Sequence, residues 1–109
     1  MIRRLLAIDG VNVVCHFRDD GALVEGHGLL DERDMAGLAM FAHDYRRIVQ
    51  SHADQLSMFS QMRGWTPPRG WIVHGKEASV CSVGNLVCLV ENGSASLSEV
   101  MRELAETQY

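Results

Sequence analysis

The chain has 109 residues, of which 47% are hydrophobic and 22% charged, and this composition is typical of a single globular domain over residues 1–109. A formal net charge of −4 disfavours a nucleic-acid-binding protein, and no apolar run is long enough for a membrane span or a signal peptide. Three cysteines, an odd number, are expected in a reducing compartment, so we predict a cytoplasmic protein.

The N-terminal quarter predicts a short helix followed by a β-hairpin. Residues 2–8 form an amphipathic turn or two, which Asp9 and Gly10 end, with Gly10 as the C-cap. Val11–Arg18 is rich in β-branched residues and predicts a strand. Asp20-Gly21 favours a type I′ turn, after which residues 22–26 return as a second strand. The sequence "EGHG" is interpreted as part of a loop without functional meaning.

A long helix is predicted from Asp31 to about Met62, because apolar residues recur there at three- and four-residue spacing. Asp31 is its expected N-cap, and Glu32 and Asp34 suit the helix dipole in the first turn. Such a helix would be roughly 45 Å long. A compact chain of this size is only ~35 Å across, so the helix must either end early or protrude and be covered.

The same helix has a second apolar set that lies off the main stripe and consists of Met40, Phe41, Ile48 and Met58. One sheet face cannot easily bury both sets. The pattern therefore predicts self-association, since a helix that is apolar on more than one side needs more than one partner surface.

The C-terminal half predicts three strands and a final helix. The segment "WTPPRGW" is a stiff extended linker, because each proline also excludes helical geometry in the residue before it. The strands lie in "GWIVHG", "SVCSV" and "LVCLVE", and Ser96 with Glu99 forms a capping box that opens a helix from Leu97 to about Glu106. The order is α-β-β-α-β-β-β-α. Residues 86–90 are apolar at every position, which predicts helices on both faces of a five-stranded antiparallel sheet.

The three cysteines are the residues for which redox or metal chemistry must be considered. Gly84-Asn85 reads as a two-residue hairpin loop, which places Cys81 opposite Cys88. If the first strand neighbours the last, Cys15 joins the same face, and His74 joins it if the register of the third and fourth strands allows. Packed core thiols are the favoured interpretation, because apolar neighbours raise a thiol pKa; a redox-labile pair and a metal site are the alternatives. We expect no metal and no cofactor.

Other candidate residues point to binding rather than catalysis. His52 lies on the apolar stripe and is expected to be packed or interfacial, with a pH-sensitive dimer as the alternative. Trp65 either fills space under the diproline linker or, with Arg63 and Arg69, anchors another protein. No phosphate-binding loop and no catalytic motif is present in the sequence, so we predict that the protein is not an enzyme.

The element order resembles the roadblock/LC7 (MglB-like) superfamily, a profilin-like architecture. The run "GWTPPRGW…SVCSVGNLVCLVENG", together with the earlier "GV…F…DDGALVE", is similar to a small bacterial roadblock-like family without an assigned reaction. The resemblance implies the sheet order β2-β1-β5-β4-β3, with the long helix on one face and both terminal helices on the other. It also implies dimers that pair β3 edges and pack long helices together.

Two functions follow from these observations. The first is a homodimeric adaptor or regulatory module that presents a protein-binding surface; the resemblance implies a small Ras-like GTPase as one partner. The alternative is a small-molecule or redox sensor with a pocket near Cys15, Cys81 and Cys88. The residues expected at the dimer interface are Phe41, Tyr45, Ile48, His52, Phe59, Trp71, Ile72, Val73 and His74.

Overall fold

The computed structural model of the protein describes residues 2–51, 70–93 and 95–107. A 3-10 helix at the N-terminus is followed by five strands and two α-helices, in the order that the sequence predicts. The elements are the 3-10 helix Ile2–Ala7, β1 (Val11–Phe17), β2 (Leu23–Gly28), α1 (Glu32–Ser51), β3 (Gly70–His74), β4 (Ala78–Val83), β5 (Leu86–Glu91) and α2 (Leu97–Glu106).

The five strands form one antiparallel sheet in the order β2-β1-β5-β4-β3. This is the order that the resemblance to roadblock proteins implies, and it leaves β2 and β3 at the two edges. The predicted fold class is therefore confirmed. β1 pairs with β2 on one side and with β5 on the other, and it carries a bulge against each of them.

Two apolar layers cover the sheet. On one face, the 3-10 helix and α2 pack on a cluster that includes Val14, Cys81, Cys88 and Leu104. On the other face, α1 packs on a cluster that includes Phe17 and Val87. Residues 86–90 of β5 contribute to both clusters, as their continuous apolar character predicts.

The two α-helices begin at the predicted capping residues. Asp31 begins α1, because its Oδ1 accepts a hydrogen bond from the backbone N of Asp34 at 2.8 Å. The Oγ of Ser96 accepts from the backbone N of Glu99 at 3.4 Å, and α2 runs over the predicted residues. The predicted continuation of α1 to about Met62 falls outside the described residues. None of the helices described here combines the length and the apolar character needed to cross a bilayer.

The second strand is longer than predicted. β2 runs to Gly28, so "EGHG" lies in the sheet and not in a loop, which corrects the interpretation of these residues. The strand is extended because the ladder with β1 continues: Gly28 pairs with Val13, and the backbone N of Leu29 donates to the carbonyl of Asn12 at 3.0 Å.

Candidate functional site

The outer side of α1 carries exposed apolar side chains. Its inner residues Ala39 and Ala42 are fully buried against the sheet, whereas Met40, Phe41 and Ile48 are 45%, 43% and 52% exposed. This exposed row is the described part of the second apolar set that the sequence predicts. It is unusual for a surface helix, which normally presents charged and polar groups to water.

An aromatic cluster connects this row to the edge strand β3. The ring centroids of Tyr45 and Trp71 are 4.7 Å apart, and those of Phe41 and Trp71 are 6.0 Å apart in an edge-to-face arrangement. Trp71 is buried, while Phe41 lies at the surface. Phe41, Tyr45 and Ile48 of α1 and the outer edge of β3 thus form one surface, which we call the α1–β3 surface. Met40 lies outside it, beside Gly21 of the β1–β2 turn.

The indole Nε1 of Trp71 is buried, and within the described part of the chain it has no hydrogen-bond acceptor. A buried donor without an acceptor costs about 1–3 kcal/mol, and such groups are rare in native proteins. The unsatisfied donor lies beneath the α1–β3 surface.

The outer edge of β3 offers backbone groups for pairing. The backbone N of Gly75 donates to the carbonyl of Ala78 at 2.9 Å, which fixes the alternation of hydrogen bonds in the β3–β4 ladder. Trp71 and Val73 consequently bond to β4, and the backbone groups of Ile72 and His74 point away from the sheet. The side chain of Ile72 is also 40% exposed, on the face opposite to Trp71.

The structure divides the three cysteines between the two faces. Cys81 pairs with Cys88, as predicted, and both pack against the terminal helices. Cys15 pairs with Val87 and packs against α1 with Met35. The expectation that Cys15 joins the other two thiols is therefore wrong, because Val14, and not Cys15, lies opposite Cys88. A single pocket shared by all three thiols is excluded by the sheet between them.

His74 does lie on the Cys81 face, because Ile72 pairs with Cys81 and His74 pairs with Ser79. Its Nδ1 is 2.9 Å from the Oγ of Ser79, which also donates to the Oδ1 of Asn92 at 2.5 Å. Asn92 in turn donates to the carbonyl of Gly75 at 2.7 Å. These hydrogen bonds connect the β3–β4 turn to the end of β5. The side chains of His74, Ser79 and Asn92 therefore have a structural role.

Burial makes the thiols poor nucleophiles. It raises the pKa of Cys15 and the pKa of Cys81 to about 11. Burial, with a smaller effect of the other two thiols, also raises the pKa of Cys88. Among residues 2–51, 70–93 and 95–107, no three His, Cys, Asp or Glu side chains are grouped so as to hold a metal ion.

Several predicted site residues cannot be placed. His52, Phe59, Arg63, Trp65 and Arg69 lie outside the described residues. Val73 is half-buried on the α1 side of β3. Sequence reasoning overlooked two exposed apolar residues, Val24 within β2 and Leu29 directly after it. The signal that would have found them is the pair of glycines at alternate positions of "EGHG", which is typical of a strand that another backbone approaches.

The fold places the protein among roadblock/LC7-like structures. A roadblock/LC7 domain from Streptomyces avermitilis superimposes with a TM-score of 0.79 at 14% identity, over 95% of this chain and 85% of that one. Myxococcus xanthus MglB gives a TM-score of 0.64 at 19% identity, over 88% and 76%. A structure described as MglB with tetrameric arrangement gives 0.72 at 13% identity, over 96% and 76%. At these identities the likeness shows the fold.

Family membership follows from the sequence itself. Residues 1–106 match the family described as "Uncharacterized conserved protein (DUF2173)", and the chain belongs to this family. A search of the curated proteins finds no match. The structural relatives share the roadblock-like fold that the element order of the sequence predicts.

Proposed function

We propose that the protein is a non-enzymatic homodimeric module that pairs through its α1–β3 surface and presents the joined surface to a protein partner. The observation that carries this proposal is the continuity of exposed apolar side chains on α1 with an open strand edge at β3. Both features are liabilities in a monomer, because apolar patches and unpaired edges promote non-specific association.

Pairing of two copies would remove three unfavourable features of the monomer at one surface. It would remove Phe41 and Ile48 from water, and full burial of such side chains is worth about 1.5–3 kcal/mol each. It would give the backbone groups of Ile72 and His74 hydrogen-bond partners across the symmetry axis. It would also bring a second protein to the buried Nε1 of Trp71. The relative described as MglB with tetrameric arrangement is itself an assembly, which supports the same use of the fold here.

The partner that we propose to test first is a small Ras-like GTPase. The basis is the resemblance to roadblock proteins, which implies an adaptor or regulator of such enzymes. The net charge of −4 also favours a protein partner over a nucleic acid.

The experiment is sedimentation equilibrium of the wild-type protein and two variants. We expect a dimer for the wild type and a folded monomer for Phe41→Asp, because a carboxylate at the centre of the interface would be buried without a partner. Leu29→Asp is the matched control: Leu29 is 81% exposed and lies beside the opposite edge of the sheet, so this variant should remain a dimer.

A second variant separates edge pairing from helix packing. Ile72→Pro removes one outward N–H and leaves the β3–β4 ladder intact, so it should weaken the dimer while the far-UV circular dichroism stays unchanged. A wild-type protein that is monomeric at about 100 μM, or a Phe41→Asp variant as dimeric as the control, would overturn the proposal.

A further inference from the structure

The edge at β2 is a second open side of the sheet, at the far end from β3. No other strand of the described residues pairs with its outer side. The hydrogen bond from Leu29 N to Asn12 O fixes the alternation in the β1–β2 ladder, in which Val14 pairs with His27 and Cys15 with Gly26. Glu25 and His27 therefore bond to β1, and the backbone groups of Gly26 and Gly28 point outward. Val24 is the extra residue of the bulge between β1 and β2. A dimer that forms through β3 leaves this edge open in both copies.

This edge is only partly protected against a further strand. Edge strands are normally blocked by lysine, proline, a bulge or a covering element, and the bulge of β2 lies near its beginning, at Val24. β2 contains neither lysine nor proline, and Gly26 has no side chain to keep another backbone away. Val24 is 52% exposed, and Leu29, directly after the strand, is 81% exposed. The edge is therefore open for pairing after the bulge, and exposed apolar residues lie near both of its ends.

A cavity of about 380 Å³ lies beside this edge, between β2 and the beginning of α1. Side chains of alternate residues in an added strand would project toward it, because they point to the α1 face of the sheet. Most of the exposed surface of the cavity is polar, two acidic residues line it, and no basic residue does. Its lining residues are Leu23, Val24, Glu25, Gly26, Leu30, Glu32 and Met35.

The charge of the edge indicates which segment it would accept. Glu32 forms no ion pair with any other described residue, and the exposed Asp31 and Asp34 lie beside it in the first turn of α1. Glu25 accepts a hydrogen bond from His27 at 2.6 Å, which lowers the pKa of the Glu25 carboxyl and keeps it ionised. Arg33 is the nearest basic residue in the sequence, but it does not line the cavity.

We propose that the β2 edge binds an extended segment of another protein by strand addition, with one apolar side chain against the exposed Val24 and flanking Lys or Arg residues against Glu25 and Glu32. In strand addition the main chain supplies the affinity and the pocket supplies the specificity. A second copy of this chain is the less favourable occupant, since it would bring the same carboxylates against each other. This site is separate from the α1–β3 surface and does not depend on dimerisation.

The test is selection of a phage-displayed library of random ten-residue peptides against the wild-type protein, with counter-selection against the Val24→Lys/Glu32→Lys double variant. Both positions are exposed, so the variant should fold, which circular dichroism checks. We expect enriched peptides that alternate an apolar residue with Lys or Arg. Fluorescence anisotropy of the best peptide should show binding weakened by about tenfold or more in the double variant.

Two further measurements define the mode of binding. A peptide N-methylated at alternate residues on its pairing side should lose binding, because it keeps the side chains and cannot form the ladder. Phe41→Asp should bind the peptide as well as the wild type does, whatever its oligomeric state, so failure of the dimer and failure of this site are distinguishable.

Three outcomes would overturn the inference. The first is a library without enrichment, and the second is a set of peptides that bind the double variant as tightly as the wild type. The third is an assembly larger than a dimer that the double variant abolishes, which would make a second copy the occupant.

Discussion

Cys81 and Cys88 lie directly opposite each other on β4 and β5, and both thiols are free and buried under the terminal helices. In such a pair the distance between the strands does not forbid a disulfide, so reactivity must be judged from the environment. Desolvation keeps both thiols neutral at physiological pH. The pair therefore behaves as part of the apolar core.

We predict slow labelling of all three cysteines in the native protein by a thiol reagent at pH 8. A pKa of about 11 in place of 9.0 leaves Cys81 with about 100-fold less thiolate, and burial restricts access further. Labelling should become fast only in denaturant. Mass spectrometry of the intact protein measures the number of labelled cysteines over time. If Cys81 or Cys88 reacts in the folded state as fast as an exposed thiol, the redox-sensor hypothesis gains its basis.

Stability should fall as the pH rises above 9. In the unfolded chain a thiol ionises near its ordinary pKa of 9.0, whereas in the folded chain Cys15 and Cys81 stay protonated to about pH 11. The folded state thus holds more protons in this window, and each thiol lowers the free energy of unfolding by about 1.4 kcal/mol per pH unit. Urea denaturation between pH 8 and 11 measures the slope.

The matched variant for this measurement is Cys81→Ala. It should lower stability at pH 8, and above pH 9 its curve should fall less steeply than that of the wild type, because one titrating thiol has been removed. Parallel curves for the two proteins would mean that Cys81 does not contribute to the alkaline loss of stability.

Arg46 should stabilise the packing of α1 on the β4–β5 hairpin. Its guanidinium donates to the side chain of Asn85 and to the carbonyl of Gly84 at 3.4 Å, and it lies 5.8 Å from the ring centroid of Phe17. We expect Arg46→Ala to lower the free energy of unfolding by about 1–3 kcal/mol. Arg47→Ala, at an exposed neighbouring position, should change it by less than about 0.5 kcal/mol. Equal effects of the two substitutions would contradict this role.

Two glycines should respond to alanine in opposite directions. Gly28 has φ +129°, and a Cβ there would clash with the carbonyl oxygen of Asn12. Gly28→Ala should therefore destabilise the fold by about 1–3 kcal/mol. Gly37 lies within α1, and a Cβ there would meet nothing within 4 Å. Gly37→Ala should therefore stabilise by about 0.5–1 kcal/mol. Thermal unfolding of both variants gives the comparison, and a shift in the same direction for both would contradict it.

Local features of the sequence were sufficient for the order of the elements and for the residues at which the two α-helices begin. The caps at Asp31 and Ser96 and the Gly84-Asn85 turn operate within a few residues, so they could be read without knowledge of the fold. The pairing of Cys81 with Cys88 follows from the same turn, because a two-residue loop fixes the register of its hairpin. The exposed second side of α1 was likewise predictable from helical periodicity alone.

The face of Cys15 was decided only by the tertiary structure. β1 and β5 are neighbours in the sheet but far apart in the sequence, so no turn sets their register, and the ladder between them carries a bulge between Val11 and Val13. A shift of one residue moves every side chain of a strand to the other face. The open edge at β2 has the same origin: which strand lies at an edge depends on the order of the whole sheet, and that order results from packing between distant segments.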